Sequence, residues 1–330
     1  MKNYFNFTIR ARQFVPYFFY MLILCIGVSV VSVLLGFSSN TIATVIDGHY
    51  FLMLGGELLL GILTLIGLCL LTLPMLTNIF KTTIYRDQPL EADFDTKEFI
   101  WLVVKGSILS CITLGIYVPW FIAGLMRYFA DGLSHGFSRL SFRGKGGRLF
   151  SVIVLALIVP MVVAMLLIGV ATGVNLSGES GVAILCVLVA LLVMIVAMTF
   201  YQIYYYGWYI NLTYGGRRIV LGCKAGALFW TVLGEMVLSF LSLGIYLPMA
   251  LLRIYRAFAR EIVVGDKLID ARGGMSLRPW NDWAYCWGQV LLIIITLGIY
   301  SPWAALRLMR RFGSRVYFKT IEKPTEAMPE

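Results

Sequence analysis

Four stretches of this chain, Val15 to Phe37, Leu58 to Phe80, Leu149 to Val174 and Val182 to Trp208, carry no charged residue over more than twenty positions each. A bilayer's hydrocarbon core is crossed by roughly 20 apolar residues of helix, so each stretch is long enough to span. Backbone groups in hydrocarbon must bond to one another, which restricts such segments to helices or closed barrels. Charged residues make up 13% of the chain, about half the share usual in soluble domains. An all-α integral membrane protein is therefore expected. The first stretch far exceeds the roughly 7–15 residues of a secretory signal core and reads as a retained anchor.

Three further apolar segments end in one motif: Leu114-Gly115-Ile116-Tyr117-Val118-Pro119, Leu243-Gly244-Ile245-Tyr246-Leu247-Pro248 and Leu297-Gly298-Ile299-Tyr300-Ser301-Pro302. Each proline stands four residues after the glycine, and an arginine stands eight after the proline: Arg127, Arg256 and Arg310. A helical proline cannot donate to the carbonyl four residues back and crowds it. Here that carbonyl belongs to a glycine, the residue that best absorbs a backbone change. The spacing predicts a built-in helix break inside an apolar segment, with the glycine carbonyl left unbonded.

Basic residues decide between two topologies, since cytoplasmic loops of membrane proteins carry excess Lys and Arg. If the three motif segments are full spans, giving seven transmembrane helices, 12 cations fall inside and 14 outside. If each enters, breaks and returns to the side it left, 26 of the 27 Lys and Arg residues are cytoplasmic, Lys105 alone lying within a segment. The outer loops, Ser38–Tyr50 and Asn175–Gly181, then hold none. Four full spans plus three broken or re-entrant hairpins, with both termini cytoplasmic, is the preferred arrangement, and seven spans the alternative. The net charge of +10 follows from the same loop bias, and no nucleic-acid partner is expected.

The organisation reads as one polytopic domain over residues 1–330, with motif units around 94–128, 222–257 and 280–311 and a cytoplasmic tail at 312–330. Lys145-Gly146-Gly147-Arg148-Leu149-Phe150 and Lys224-Ala225-Gly226-Ala227-Leu228-Phe229 share the pattern Lys-x-Gly-x-Leu-Phe, a second sign of internal repetition. Short alternating stretches in the linkers, Arg139-Leu140-Ser141-Phe142 and Lys267-Leu268-Ile269-Asp270, suit small cytoplasmic hairpins too short to fold alone. The run Tyr201, Tyr204, Tyr205, Tyr206, Trp208, Tyr209 suits an interfacial aromatic belt.

The sequence Thr113 to Trp120, matched closely by Thr296 to Trp303 and followed there by Arg307 and Arg310, resembles the YjgN family of bacterial inner-membrane proteins, whose function is not established. Arg253 and Arg256 also fit that pattern, with Ser242 and Met249 in place of its threonine and tryptophan, while Gly124 replaces one arginine of the first copy. The family's Phe-x-Phe stretch survives as Phe5-Asn6-Phe7 and less clearly in Leu140-Ser141-Phe142-Arg143-Gly144. The resemblance implies a multi-pass inner-membrane protein and supplies neither substrate nor catalytic site.

Three ionisable residues interrupt the apolar segments: Glu57, Lys105 and Glu235. Charges inside a membrane are costly and default to functional candidates. Glu57 suits an interfacial carboxylate, whereas Lys105 and Glu235, at nearly equal distances before Leu114 and Leu243, are expected to pair across a polar centre. Arg127, Arg253, Arg256, Arg307 and Arg310 are candidate contacts for anionic lipid head groups or an anionic solute. The helix-break residues Gly115, Tyr117, Pro119, Gly244, Tyr246, Pro248, Gly298, Tyr300 and Pro302 complete the set. Six scattered cysteines and two histidines offer no metal or disulfide spacing. No cofactor and no enzyme pattern is expected. The leading expectation is transport or permeation of a small anionic or amphipathic solute. The alternative is a non-transporting membrane module that binds anionic lipid or a partner protein, and a homo-oligomer is open to either.

Overall fold

Five times a short strand runs into two helices, which return the chain to a second strand bonded to the first. The structure, a computed structural model, describes residues 2–34, 49–176, 178–222, 225–265 and 271–320. The first unit holds β1 (Lys2–Phe7), α1 (Ala11–Leu34), α2 (His49–Lys81) and β2 (Thr83–Tyr85). The second holds β3 (Gln88–Pro89), β4 (Glu91–Ala92), α3 (Thr96–Ile112), α4 (Val118–Asp131) and β5 (Leu133–His135). The third holds β6 (Ser138–Phe142), α5 (Gly146–Ile153), a π-helical turn (Val154–Ile158), α6 (Val159–Leu176), α7 (Ser180–Tyr209) and β7 (Leu212–Tyr214). The fourth holds β8 (Arg217–Leu221), α8 (Ala225–Leu241), α9 (Leu247–Glu261) and β9 (Ile262–Val264). The fifth holds β10 (Ala271–Met275), α10 (Pro279–Ile295), α11 (Ser301–Leu308), a second π-helical turn (Met309–Gly313) and β11 (Val316–Thr320).

All strand pairs are antiparallel, in the order β3-β2-β1-β11-β10-β9-β8-β7-β6-β5-β4. The two ends of that order are separated in the chain by Leu90 alone, whose N–H donates to the Thr83 carbonyl at 2.9 Å. The extended segment through Leu90 therefore pairs with β2 on one side and β5 on the other, and the sheet closes into a ring. Closure removes the unpaired edges that would recruit other chains. Two-residue turns join the first four units, and they need the left-handed backbone found at Arg86, Asp87, Gly136, Gly215 and Gly216.

The joint between strand and helices is the same in all five units. Thr8, Asp93, Arg143, Gly222 and Ser276 each donate a backbone N–H, to Thr82, Gly132, Asn211, Glu261 and Arg315 respectively, at 2.8–3.2 Å. In every unit the first helix begins three residues later. Inside the ring Tyr85 of β2 meets Phe318 of β11 and His135 of β5, at ring separations of 6.4 and 5.6 Å. His135 bridges the Tyr85 carbonyl and the Tyr214 hydroxyl, both at 2.8 Å. Residues from non-adjacent strands meet only where side chains converge, so aromatic groups fill this part of the interior.

The helices form a second layer, and their cores lie at the unit boundaries. Ile9, Val15, Ile79 and Leu306 join the first and fifth units. Cys69, Leu73 and Phe99 join the first and second. Phe142, Leu149 and Trp208 pack with Ala123 between the second and third, and Ile203, Leu228, Val232, Ile254 and Phe258 pack between the third and fourth. Among the described residues four helices are long and apolar enough to cross a membrane: Ala11–Ser32, Gly55–Lys81, Gly146–Leu176 and Ser180–Tyr209. They coincide with the four charge-free stretches.

Two expectations change. The protein is not all helix, because strands too short to fold singly combine into one closed sheet. The segment read as a tail from residue 312 instead contributes β11, which pairs with β10 and β1. The stretch Arg139–Phe142 lies in the β5–β6 hairpin. Lys267–Asp270, Lys224, most of the Ser38–Tyr50 loop and the residues beyond Thr320 lie outside the described residues. Two members of the aromatic run belong to the core instead: Tyr206 packs on Phe258 at 4.4 Å, and Trp208 is fully buried, its indole N–H donating to the Lys145 carbonyl.

Candidate functional site

Each Leu-Gly-Ile-Tyr segment is a five-residue reversal between two antiparallel helices. Leu114, Leu243 and Leu297 take φ of 50°, 51° and 50°, and Gly115, Gly244 and Gly298 take 88°, 84° and 89°. The glycine N–H reaches back to the carbonyls of Ser110, Ser239 and Ile293 at 2.7–2.9 Å, closing the first helix as a left-handed glycine cap does. A hydroxyl then bridges the reversal: Oγ of Thr113, Ser242 and Thr296 accepts the N–H of Tyr117, Tyr246 and Tyr300 at 3.0–3.1 Å. The glycine carbonyl is not left unbonded, because it accepts from Val118, Leu247 and Ser301. This corrects the expected cause of the break. The left-handed Leu-Gly pair turns the chain, while Pro119, Pro248 and Pro302 sit in the first turn of the next helix, where no N–H is required.

A leucine in the left-handed region costs roughly 1–2 kcal/mol, and here it occurs three times with nothing gained in packing. The three leucines are 93%, 93% and 92% exposed. At Gly244 a Cβ meets open space but an unfavourable φ. Gly244→Ala should therefore lower stability by about 1–2 kcal/mol. Gly234→Ala, also in open space and within α8, should raise it by about 0.5–1 kcal/mol. Thermal unfolding in a mild detergent measures both, and equal shifts would count against the strained cap.

Behind the reversal lies a graded polar contact. In the fourth unit Glu235 on α8 is buried; its Oε2 accepts the Tyr246 hydroxyl at 2.8 Å and its Oε1 accepts Arg253 Nη1 at 3.3 Å. The Arg253 guanidinium also lies over the Tyr246 ring at 5.7 Å. The fifth unit repeats the geometry with an amide: Tyr300 donates to Gln289 Oε1 at 3.0 Å, and Arg307 lies over the Tyr300 ring at 5.5 Å. In the second unit the corresponding residue is Gly106, where the Phe121 ring occupies the space a side chain would need.

Glu57, Lys105 and Glu235 are not brought together. The partners of Glu235 come from its own hairpin, while Lys105 on α3 and Glu57 on α2 are exposed. Counting from the strand joints rather than from the tips explains the difference. Lys105 then corresponds to Gly234, and Glu235 to Gly106 and Gln289. Among the arginines, Arg127, Arg307 and Arg310 are exposed, and Arg256 holds a buried Nε without a hydrogen-bond partner.

The richest ionic cluster among the described residues lies outside the residues the sequence singles out. Asp282 is fully buried in the first turn of α10. It accepts Arg278 N at 2.7 Å, Arg311 at 3.0 and 3.2 Å, and Arg315 at 2.7 and 2.8 Å. The sequence signal was the four-residue spacing of Arg278 from Asp282 and of Arg311 from Arg315. Between neighbouring hairpins, the indole N–H groups of Trp283 and Trp287 both donate to the Ile245 carbonyl at the tip of the fourth unit.

The family model described as a bacterial protein of unknown function (DUF898) matches residues 2–133 and again 43–270. The chain belongs to that family. Membership agrees with the YjgN-like resemblance carried by the motif residues. The two matches overlap and together take in all of the first four units. No curated protein and no solved structure matches the chain.

Proposed function

We propose that this protein is a non-transporting module of the bacterial inner membrane, a cytoplasmic β-ring held by two membrane-crossing helical hairpins. Three shorter re-entrant hairpins dip from the ring into the inner leaflet, and the five units are repeats of one design. The observation that carries this reading is the set of tip leucines, held exposed at an energetic cost in all three reversals. Such side chains gain from water exclusion only if something apolar receives them, and a leaflet's acyl region does so. The helices fit this depth. α3 and α4 have 17 and 14 residues, about 25 and 21 Å at 1.5 Å per residue, short of a roughly 30 Å core.

Anionic phospholipid is the partner this face suits. Arg253, Arg256, Arg307 and Arg310 lie on the helical segments that return from the tips, and Arg253, Arg307 and Arg310 are exposed there. Permeation is the less favoured reading because Glu235 is satisfied within its own hairpin and Lys105 lies elsewhere. The test is cysteine accessibility in intact cells, in a chain whose six native cysteines are replaced. Cysteines at Ser141, Asn211, Gly265 and Ile245 should all resist an impermeant thiol reagent added outside. Labelling at Ile245 would make its segment a full span and overturn the shallow-hairpin reading.

A further inference from the structure

The third unit contains a break in helix regularity that the proposed function does not use. Between α5 and α6 the chain makes one π-helical turn, Val154–Ile158, with the Val159 N–H bonding back to the Val154 carbonyl. Pro160 follows directly; it has no N–H to give Ala156, and its ring crowds that carbonyl. The wider turn absorbs this conflict by inserting a residue, a device frequent at functional sites. Beside it, between this bent helix and α7, lies a groove of about 660 Å³, within the range of small-molecule sites.

The groove is polarised along its length. Leu155, Pro160, Leu192 and Phe200 form its apolar walls, and Arg148 and Tyr204 stand at the end nearest the sheet. From Arg148 to Pro160 the helix rises about 18 Å at 1.5 Å per residue. Half of a roughly 30 Å hydrocarbon core is about 15 Å, so the groove is about as long as one leaflet's acyl layer. Both walls belong to helices long and apolar enough to cross a membrane, and Leu155 and Leu192 are exposed on it. Arg148 is exposed and has no acidic partner among the described residues. In the other units the residue at its position is Gln13, Glu98, Ala227 or Asn281, so only this unit places a cation there.

We propose that this groove binds one acyl chain of an anionic phospholipid, with the phosphate against Arg148. The inference rests on the membrane placement above only in taking α5 to α7 as crossing a bilayer. It does not depend on the depth of the three shorter hairpins.

The test is native mass spectrometry of the full chain released from micelles containing equal amounts of phosphatidylglycerol and phosphatidylcholine. The native protein should retain phosphatidylglycerol at least several-fold over phosphatidylcholine. Arg148→Gln should bring that ratio close to one, and Arg148→Lys should restore part of it. Leu155→Trp, which fills the groove from an exposed position, should remove the retained lipid of either kind. An unselective native protein, or selectivity that survives Arg148→Gln, would overturn the proposal and move any preference to arginines such as Arg253. Retention of a second copy of the chain in place of lipid would overturn it too. A failure here with Ile245 still protected in cells leaves the shallow hairpins standing. The reverse pair of outcomes leaves the groove standing.

Discussion

Asp282→Asn should cost about 3–5 kcal/mol of stability, the range for breaking a buried ion pair by removing one member. Asp282 is fully buried, and the Arg311 and Arg315 side chains beside it are 27% and 22% exposed. An asparagine leaves two guanidinium groups without a compensating anion; Arg311 keeps only its stacking on Tyr285 at 4.0 Å and a 3.4 Å bond to the Asn281 carbonyl. Burial alone would raise the carboxyl's pKa. The Arg278 N–H and the two arginines outweigh it, and the pKa is lowered. A depressed native pKa stabilises the fold above the unfolded value near 3.9, and that contribution is lost as pH falls from there through the native pKa. The melting temperature of the native chain should therefore drop through this acidic window, while Asp282→Asn shows a smaller drop. Position matters as well as charge. The equivalents of Asp282 in the second, third and fourth units are Phe99, Leu149 and Leu228, all buried. A triple change, Asp282→Leu with Arg311→Met and Arg315→Met, should thus recover much of the loss, because it restores the apolar joint used elsewhere. No recovery would mean the ions do more than fill that joint.

Gly273→Ala should cost about 3 kcal/mol, the upper end of the usual range for overpacking. A Cβ at Gly273 would clash with the Ala259 carbonyl oxygen and lie 3.2 Å from Ile262 Cβ. Both obstacles are fixed: one is backbone at the end of α9, and the other is a β-branched carbon at the start of β9. Relief requires β10 to move away from α9, which strains its ladder with β11. Gly288→Ala, where a Cβ meets open space within α10, serves as control and should be slightly stabilising. Urea or thermal unfolding in detergent compares them, and similar values for the two would mean that β10 can retreat freely.

What the sequence makes legible follows the range of each signal. The four long spans announce themselves because hydrophobicity is summed over twenty or more adjacent residues. Each of the three shorter hairpins returns the chain to the sheet it left, and the motif residues mark where each of them turns. The ring is hidden. Its strands run from two to six residues, and their partners lie across entire helical hairpins, as Phe7 and Thr83 do. The fivefold recurrence is masked for a related reason, because helix pairs as different as α1–α2 and α3–α4 occupy the same place between strands. What the units share is a main-chain hydrogen bond, which any residue but proline permits. Glu235 could be singled out as costly, but its partner Arg253 is reached only through the reversal at Leu243 and Gly244. Asp282 is not legible in the sequence, because a carboxylate in a first helical turn is ordinary; only the fold shows it occupying a core position.

The closed sheet also dictates an order of events during synthesis. β2, β5, β7, β9 and β10 each find a partner among strands already made. β1 must wait for β11, the last described strand to leave the ribosome, before its second edge is covered. Until then all five helical hairpins and ten of the eleven strands can be in place while one seam stays open. The slowest step in assembling this protein should then be a single long-range strand pairing. Translation that stops short of Val316 would leave an open arc whose free edge invites the chaperones and proteases that survey unfinished chains.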